Sequence, residues 1–140
     1  MGKGILLFIS MSLLALAQPA VDDIKKVLDK QVVDWNRGDV DSFMNGYEAS
    51  PQTTFVGKSV TRGHASVLAD YKKRYPTKEN MGTLRFEILE IRMLGAEHAS
   101  VLGKFFLTRS QAGGGDKDGI FNLIFKKTSA GWKIILDHTS

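Results

Sequence analysis

The side chains with chemical potential gather towards the end of this 140-residue sequence. The closing run, Gly131 to Ser140, is rich in β-branched and aromatic residues and reads as a strand. Simple alternation puts Trp132, Ile134, Leu136, His138 and Ser140 on one face, and Lys133, Ile135, Asp137 and Thr139 on the other. The first set reads as one wall of a pocket, apolar with a polar tip at His138. Asp137 and His138 are strand neighbours, so their side chains point to opposite faces and cannot form a catalytic dyad. Arg62, Arg109 and His138 can converge on the pocket and hold an acidic ligand. Arg62 stands just before a predicted helix, whose N-terminus itself favours anions. The structural alternative pairs Arg62 with a nearby acid and lays Arg109 along a strand end. His64, His98 and His138 lack metal-ligand spacing, so no metal site is expected. Asp116-Lys117-Asp118-Gly119 matches part of a calcium-binding loop. With Gly119 as the sixth loop position, however, Phe125 stands where the bidentate glutamate belongs, which excludes calcium.

Several elements must position these groups. Asp22 is a candidate cap for a helix starting at Asp23, with the stripe Ile24, Val27, Leu28, Gln31, Val32 and Trp35. Gln31 inside that stripe reads either as a boundary residue reaching solvent or as a polar group lining a cavity. Gly38 ends the helix, and a short second helix follows from Asp39 to near Tyr47. Thr53–Val56 and Lys58–Thr61 read as short strands around Gly57. A third helix runs from His64 to Tyr75 with the stripe Val67, Leu68, Tyr71 and Tyr75, and Pro76 ends it. Residues 77–83 read as a loop containing Met81. Strands follow over 84–94 and 98–109, then an arm over 120–127, with a mobile glycine-rich loop at 113–119. In the first of these, Phe86 and Ile88 share a face while Leu89, Ile91 and Met93 fall opposite. That pattern predicts either two covered faces or a bulge. Gly103 marks a bend or a close backbone approach. Trp35, Tyr47, Tyr71, Tyr75 and Phe121 read as core, with some able to line a pocket as well.

The first stretch stands apart. Lys3, the apolar run Ile5–Leu14 and Ala15-Leu16-Ala17 read as a secretory signal peptide over 1–17, cut after Ala17 or Ala20. The run is too short for a membrane span, which needs roughly 20 apolar residues. The predicted protein is therefore exported, periplasmic or secreted, with one domain over 18–140 and no stable membrane span once the leader is removed. No cysteine is present, so packing and not disulfides must hold the fold. The formal charge of +4 is small and its basic residues are scattered, which argues against nucleic acid as a partner.

The element order predicts an α+β fold: three N-terminal helices on a cone-like, curved antiparallel sheet that encloses a pocket. The Trp35-Asn36-Arg37-Gly38-Asp39 turn, Thr61-Arg62-Gly63, and Gly131-Trp132-Lys133-Ile134 with Asp137-His138-Thr139-Ser140 resemble the SnoaL-like branch of the nuclear transport factor 2-like superfamily, over about residues 21–140. The resemblance implies either ligand binding or cofactor-independent cyclase, dehydratase or isomerase chemistry, or else a structural association role. It also places ketosteroid-isomerase site positions near Gln31, Phe55 and Asn122. A phenyl ring cannot accept a proton, so Phe55 removes that isomerase's base. The expectation is a small-molecule-binding domain without a cofactor, homodimeric through the outer face of the sheet. Its expected site set is Gln31, Trp35, Phe55, Arg62, Tyr71, Arg109, Asn122 and His138.

Overall fold

The computed structural model describes residues 8–140; Lys3 and the start of the apolar leader run lie outside the described residues. Helix α1 (Phe8–Asn36) is continuous through the position where Asp22 was expected to cap it. Asp22 instead accepts a hydrogen bond from Gln18 Nε2, one turn earlier, at 3.0 Å. Capping requires non-helical backbone at the cap residue, and this i,i+4 bond holds the turn helical. The predicted stripe is the buried one: Ile24, Leu28, Gln31 and Trp35 face the core, and Ala20 extends it towards the N-terminus. In α2 (Val40–Met44), the Asp39 carboxylate caps the Ser42 amide at 2.9 Å. Helix α3 spans His64–Arg74. The stretch expected to be a loop holds a single turn, α4 (Lys78–Met81), capped by Thr77. Its buried Met81 offers its carbonyl to Trp35 Nε1 at 3.0 Å.

Six strands form one sheet: β1 (Thr54–Val56), β2 (Val60–Arg62), β3 (Thr83–Met93), β4 (His98–Thr108), β5 (Lys117–Thr128) and β6 (Gly131–Thr139), in the order β2-β1-β6-β5-β4-β3. The pairings are antiparallel except that β1 runs parallel to β6, so the sheet is mixed and not purely antiparallel as expected. Asn36 ties the end of α1 to the start of β3. Its amide donates to the Leu84 carbonyl at 3.1 Å and its oxygen accepts from the Leu84 amide at 2.7 Å.

Two bulges shape the sheet. In β3, Ile88 pairs with Gly103 and Glu90 with Leu102, which leaves Leu89 unmatched. One extra residue reverses the alternation beyond it. Ile91 and Met93 therefore join Phe86 and Ile88 against the core, and Leu89 alone turns outward. In β6, Leu136 pairs with Ile124 and Ile134 with Phe125, so Ile135 is the extra residue. Gly103 is a close approach: a β-carbon there would sit 2.4 Å from the Phe121 ring. The helices pack on the concave face, where Ala99, Val101, Leu123, Phe125 and Ile134 form the sheet's side of the core.

Candidate functional site

A cavity opens between the helices and the concave face. It measures about 80 Å³, traced by the centre of a water-sized sphere. Trp35 and Gln31 from α1, Phe43 from α2, Tyr71 and Tyr75 from α3, and Phe55 from β1 form one side; Phe86, Phe105, Phe121 and Leu123 form the other. The rings hold each other edge to face. Trp35 lies 5.0 Å from both Phe43 and Tyr75, and Tyr71 lies 5.4 Å from Phe43. Such contacts fix the wall without filling the space behind it.

The polar end of the cavity comes from β6 beyond its bulge. Past Ile135 the alternation is reversed, so Asp137 and Thr139 face the cavity and His138 faces out. Asp137 is 4% exposed. Its Oδ2 accepts from the Tyr47 hydroxyl at 2.6 Å and its Oδ1 from the Thr139 hydroxyl at 2.6 Å. The Tyr47 and Tyr71 hydroxyls lie 3.3 Å apart, which extends the chain of polar groups from β6 to α3. Burial pushes the Asp137 carboxyl above its ordinary 3.8, against the lowering pull of the Thr139 and Tyr47 hydroxyls and of Arg74. Burial, with Asp137 nearby, also pushes the Tyr47 and Tyr71 phenols up. The arrangement can hold a proton at Asp137 and present hydroxyls to a polar atom of a guest. At the mouth stand two exposed cations, Arg74 and Lys117.

The expected site set divides evenly. Gln31, Trp35, Phe55 and Tyr71 line the cavity. Gln31 is buried and donates to the Phe43 carbonyl at 3.3 Å, which answers the open question about its side of the helix. Arg62, Arg109, Asn122 and His138 are not brought to the cavity. Arg62 is exposed on the edge strand, with Thr54 Oγ1 at 3.4 Å. Arg109 staples the loop before β5: its guanidinium donates to the carbonyls of Gly115 at 2.6 Å and Asn80 at 3.1 Å, and its amide to Asp116 at 2.9 Å. The glycine-rich stretch is thus pinned by backbone acceptors, and its last residues, Lys117–Gly119, belong to β5. Asn122 lies on the convex face and donates to Ser100 Oγ at 3.0 Å. His138 lies beside it there, because the bulge moved Asp137 into the position that unbroken alternation assigned to His138. Asp137, Thr139, Arg74 and Lys117 are the polar lining residues that sequence reasoning did not assign to the cavity, and Tyr47 it read as core, able to line a pocket as well. One signal was present: Ile134-Ile135-Leu136, like Ile88-Leu89, places apolar residues side by side in a strand, as a bulge does. The described residues hold no cluster of histidine, cysteine and acids suited to a metal ion. None of their helices is long and apolar enough to cross a membrane.

Neither a family model nor a curated protein matches the chain. Solved structures do. A ketosteroid isomerase-like protein from Erwinia carotovora atroseptica SCRI1043 shares the fold at 17% identity, with a TM-score of 0.68 over 89% of this chain and 96% of its own. A putative calcium/calmodulin-dependent protein kinase type II association domain from Thiobacillus denitrificans ATCC 25259 does so at 16% identity, with a TM-score of 0.67 over 83% of this chain and 92% of its own. An NTF-2 like protein of unknown function from Shewanella oneidensis MR-1 is far nearer in sequence: 39% identical over 86% of this chain and 98% of its own, with a TM-score of 0.80. With that identity over 86% of its length, the chain belongs to the nuclear transport factor 2-like family.

Proposed function

We propose that this protein is an exported domain that binds a small molecule in the concave cavity. One observation carries the reading: an aromatic-walled cavity ends on a buried carboxyl, Asp137, whose two oxygens are held by Tyr47 and Thr139. Apolar walls with a few convergent polar groups are the usual make-up of a ligand site. Native mass spectrometry of protein purified from its host, followed by a thermal-shift screen of small organic acids and alcohols, tests the reading. A bound species, or a dose-dependent shift that Tyr47→Phe reduces, supports it. No bound species and no shift across the screen would overturn it.

The same carboxyl favours a second reading, a cofactor-independent acid–base enzyme of the cyclase, dehydratase or isomerase type. A carboxyl that keeps its proton above the ordinary range is suited to give it to a guest. Turnover abolished by Asp137→Asn, with guest binding retained, separates this reading from binding alone.

Export rests on the leader. A cut after Ala17 leaves Pro19 in the first turn of the helix, where its missing N–H costs no bond, and keeps the buried Ala20 in the core. Mass spectrometry of protein expressed in a bacterial host is expected to show residues 1–17 removed, and retention of Met1 would refute export. Homodimerisation belongs to the same proposal. On the convex face Leu102 and Ile120 are 37% and 50% exposed. Both stand on the neighbouring interior strands β4 and β5, where a second sheet can cover them. Light scattering is expected to give a dimer mass that falls to the monomer value in Leu102→Lys/Ile120→Lys.

A further inference from the structure

The cavity is polar at both ends, and the ends differ in kind. Its buried side offers hydroxyls and the Asp137 carboxyl; its exposed side offers two cations, of which Arg74 lies near enough to Asp137 to pull that carboxyl's proton affinity down. The Arg74 guanidinium stands over three rings, 5.1 Å from Phe55, 4.8 Å from Tyr71 and 5.6 Å from Tyr75. Lys117 Nζ lies 6.0 Å from the same Tyr75 ring. Packing on aromatic faces accounts for Arg74 as a structural device. It does not account for a second cation reaching the same ring from β5, across the cavity from α3.

Neither of the two cations that line the cavity meets a carboxylate of the described residues, a state they share with Arg85 and several surface lysines but not with every cation. Lys30, Arg37, Lys72, Arg92 and Lys126 each meet a carboxylate. Among the described residues, Arg74 and Lys117 enter no ion pair, and Arg74 makes one long bond, 3.4 Å from Nε to the Asp70 carbonyl. The guanidinium's terminal nitrogens thus keep their fork of donors, the geometry that fits a carboxylate. Asp137 is the one acid among the lining residues. Burial disfavours its ionised form, so it is poorly suited to neutralise the mouth.

We infer that the guest is a monoanionic organic acid, bound with its apolar body among the rings and its carboxylate outward on Arg74 and Lys117. The inference rests on reading the cavity as a small-molecule site, and it adds the charge and orientation of what enters. A guest of this kind is small, in keeping with a cavity of about 80 Å³.

The test uses three probes of one shape: cyclohexanecarboxylate, cyclohexanecarboxamide and cyclohexylmethylamine. Binding is followed by calorimetry and by the fluorescence of Trp35, which lines the cavity. The acid is expected to bind about tenfold tighter than the amide at low salt, and Arg74→Gln and Lys117→Gln are each expected to cost roughly fivefold, as partly exposed charges do. Arg74→Lys should recover part of the loss. Both residues are exposed, so the variants keep the fold. Equal or tighter binding of the amide or the amine overturns the inference and leaves the cavity reading intact, as does an unchanged acid preference in either glutamine variant. Binding of none of the three overturns the inference alone where the broader screen finds a guest, and the absence of any guest in that screen overturns both.

Discussion

Asp137 and His138 are consecutive residues with opposite fates. On the concave face, Asp137 is buried, bonded by two hydroxyls and joined to a cavity. On the convex face, His138 is exposed beside Asn122. The concave face is built from large rings and a buried acid whose proton affinity is raised; the convex face from isolated apolar residues such as Leu102 and Ile120 among charged ones. The contrast teaches that an unmatched residue, Ile135, assigns chemistry to one of two neighbours. A strand obliges them to face apart, and the bulge decides which of them faces in.

Substitutions on the two faces should separate sharply. The largest effect is expected at Trp132, concave and 5% exposed. Trp132→Ala should cost roughly 3–5 kcal/mol in urea unfolding, as large aromatic truncations in cores do. A loss below about 1 kcal/mol would show that the concave face is not the organising core.

A smaller effect is expected at the polar end. Tyr47→Phe removes the hydroxyl held 2.6 Å from Asp137 and should cost about 1–3 kcal/mol, the scale for a buried bond to an ionisable partner. Asp137 also predicts a pH dependence. Its folded-state proton affinity is raised above the ordinary 3.8, so between 3.8 and the folded value the native state holds a proton that the unfolded chain has released. Stability should therefore fall as pH rises through that window and level off above it. Asp137→Asn should remove this decline. Identical pH slopes for wild type and variant would mean that the carboxyl is not desolvated.

The smallest effect is expected outside the cavity. His138→Ala and Arg62→Ala should each change stability by less than about 0.5 kcal/mol, as exposed substitutions do. They should leave the affinity for cyclohexanecarboxylate unaltered, whereas Arg74→Gln lowers it. A binding loss in His138→Ala comparable to that in Arg74→Gln would collapse the distinction between the faces.

Much of the frame was legible from local rules. The stripe of α1 and its stop at Gly38, the short second helix from Asp39, the third helix and the four long strands all follow from periodicity and turn chemistry, which depend on near neighbours. The cavity wall was legible in part for the same reason: Gln31, Trp35 and Tyr71 lie on helix faces whose period nothing interrupts. Other features had no local signature. The pairing of β1 with β6 joins residues far apart in sequence. Arg74 reads as one basic residue in a helical last turn, and Lys117 as part of a loop; their meeting around Tyr75 depends on how α3 lies over β5.

The sequence by itself determined that Asp137 and His138 face apart, because a strand's period of two is local and steric. Only the tertiary structure decided that Asp137 faces in. That choice required Ile135 to be left out of the ladder, so that Ile134 could pair with Phe125 in the core while Asp137 met Leu123, Tyr47 and Thr139. A bulge is a compromise between two pairings, and its position depends on the partner strand as much as on its own.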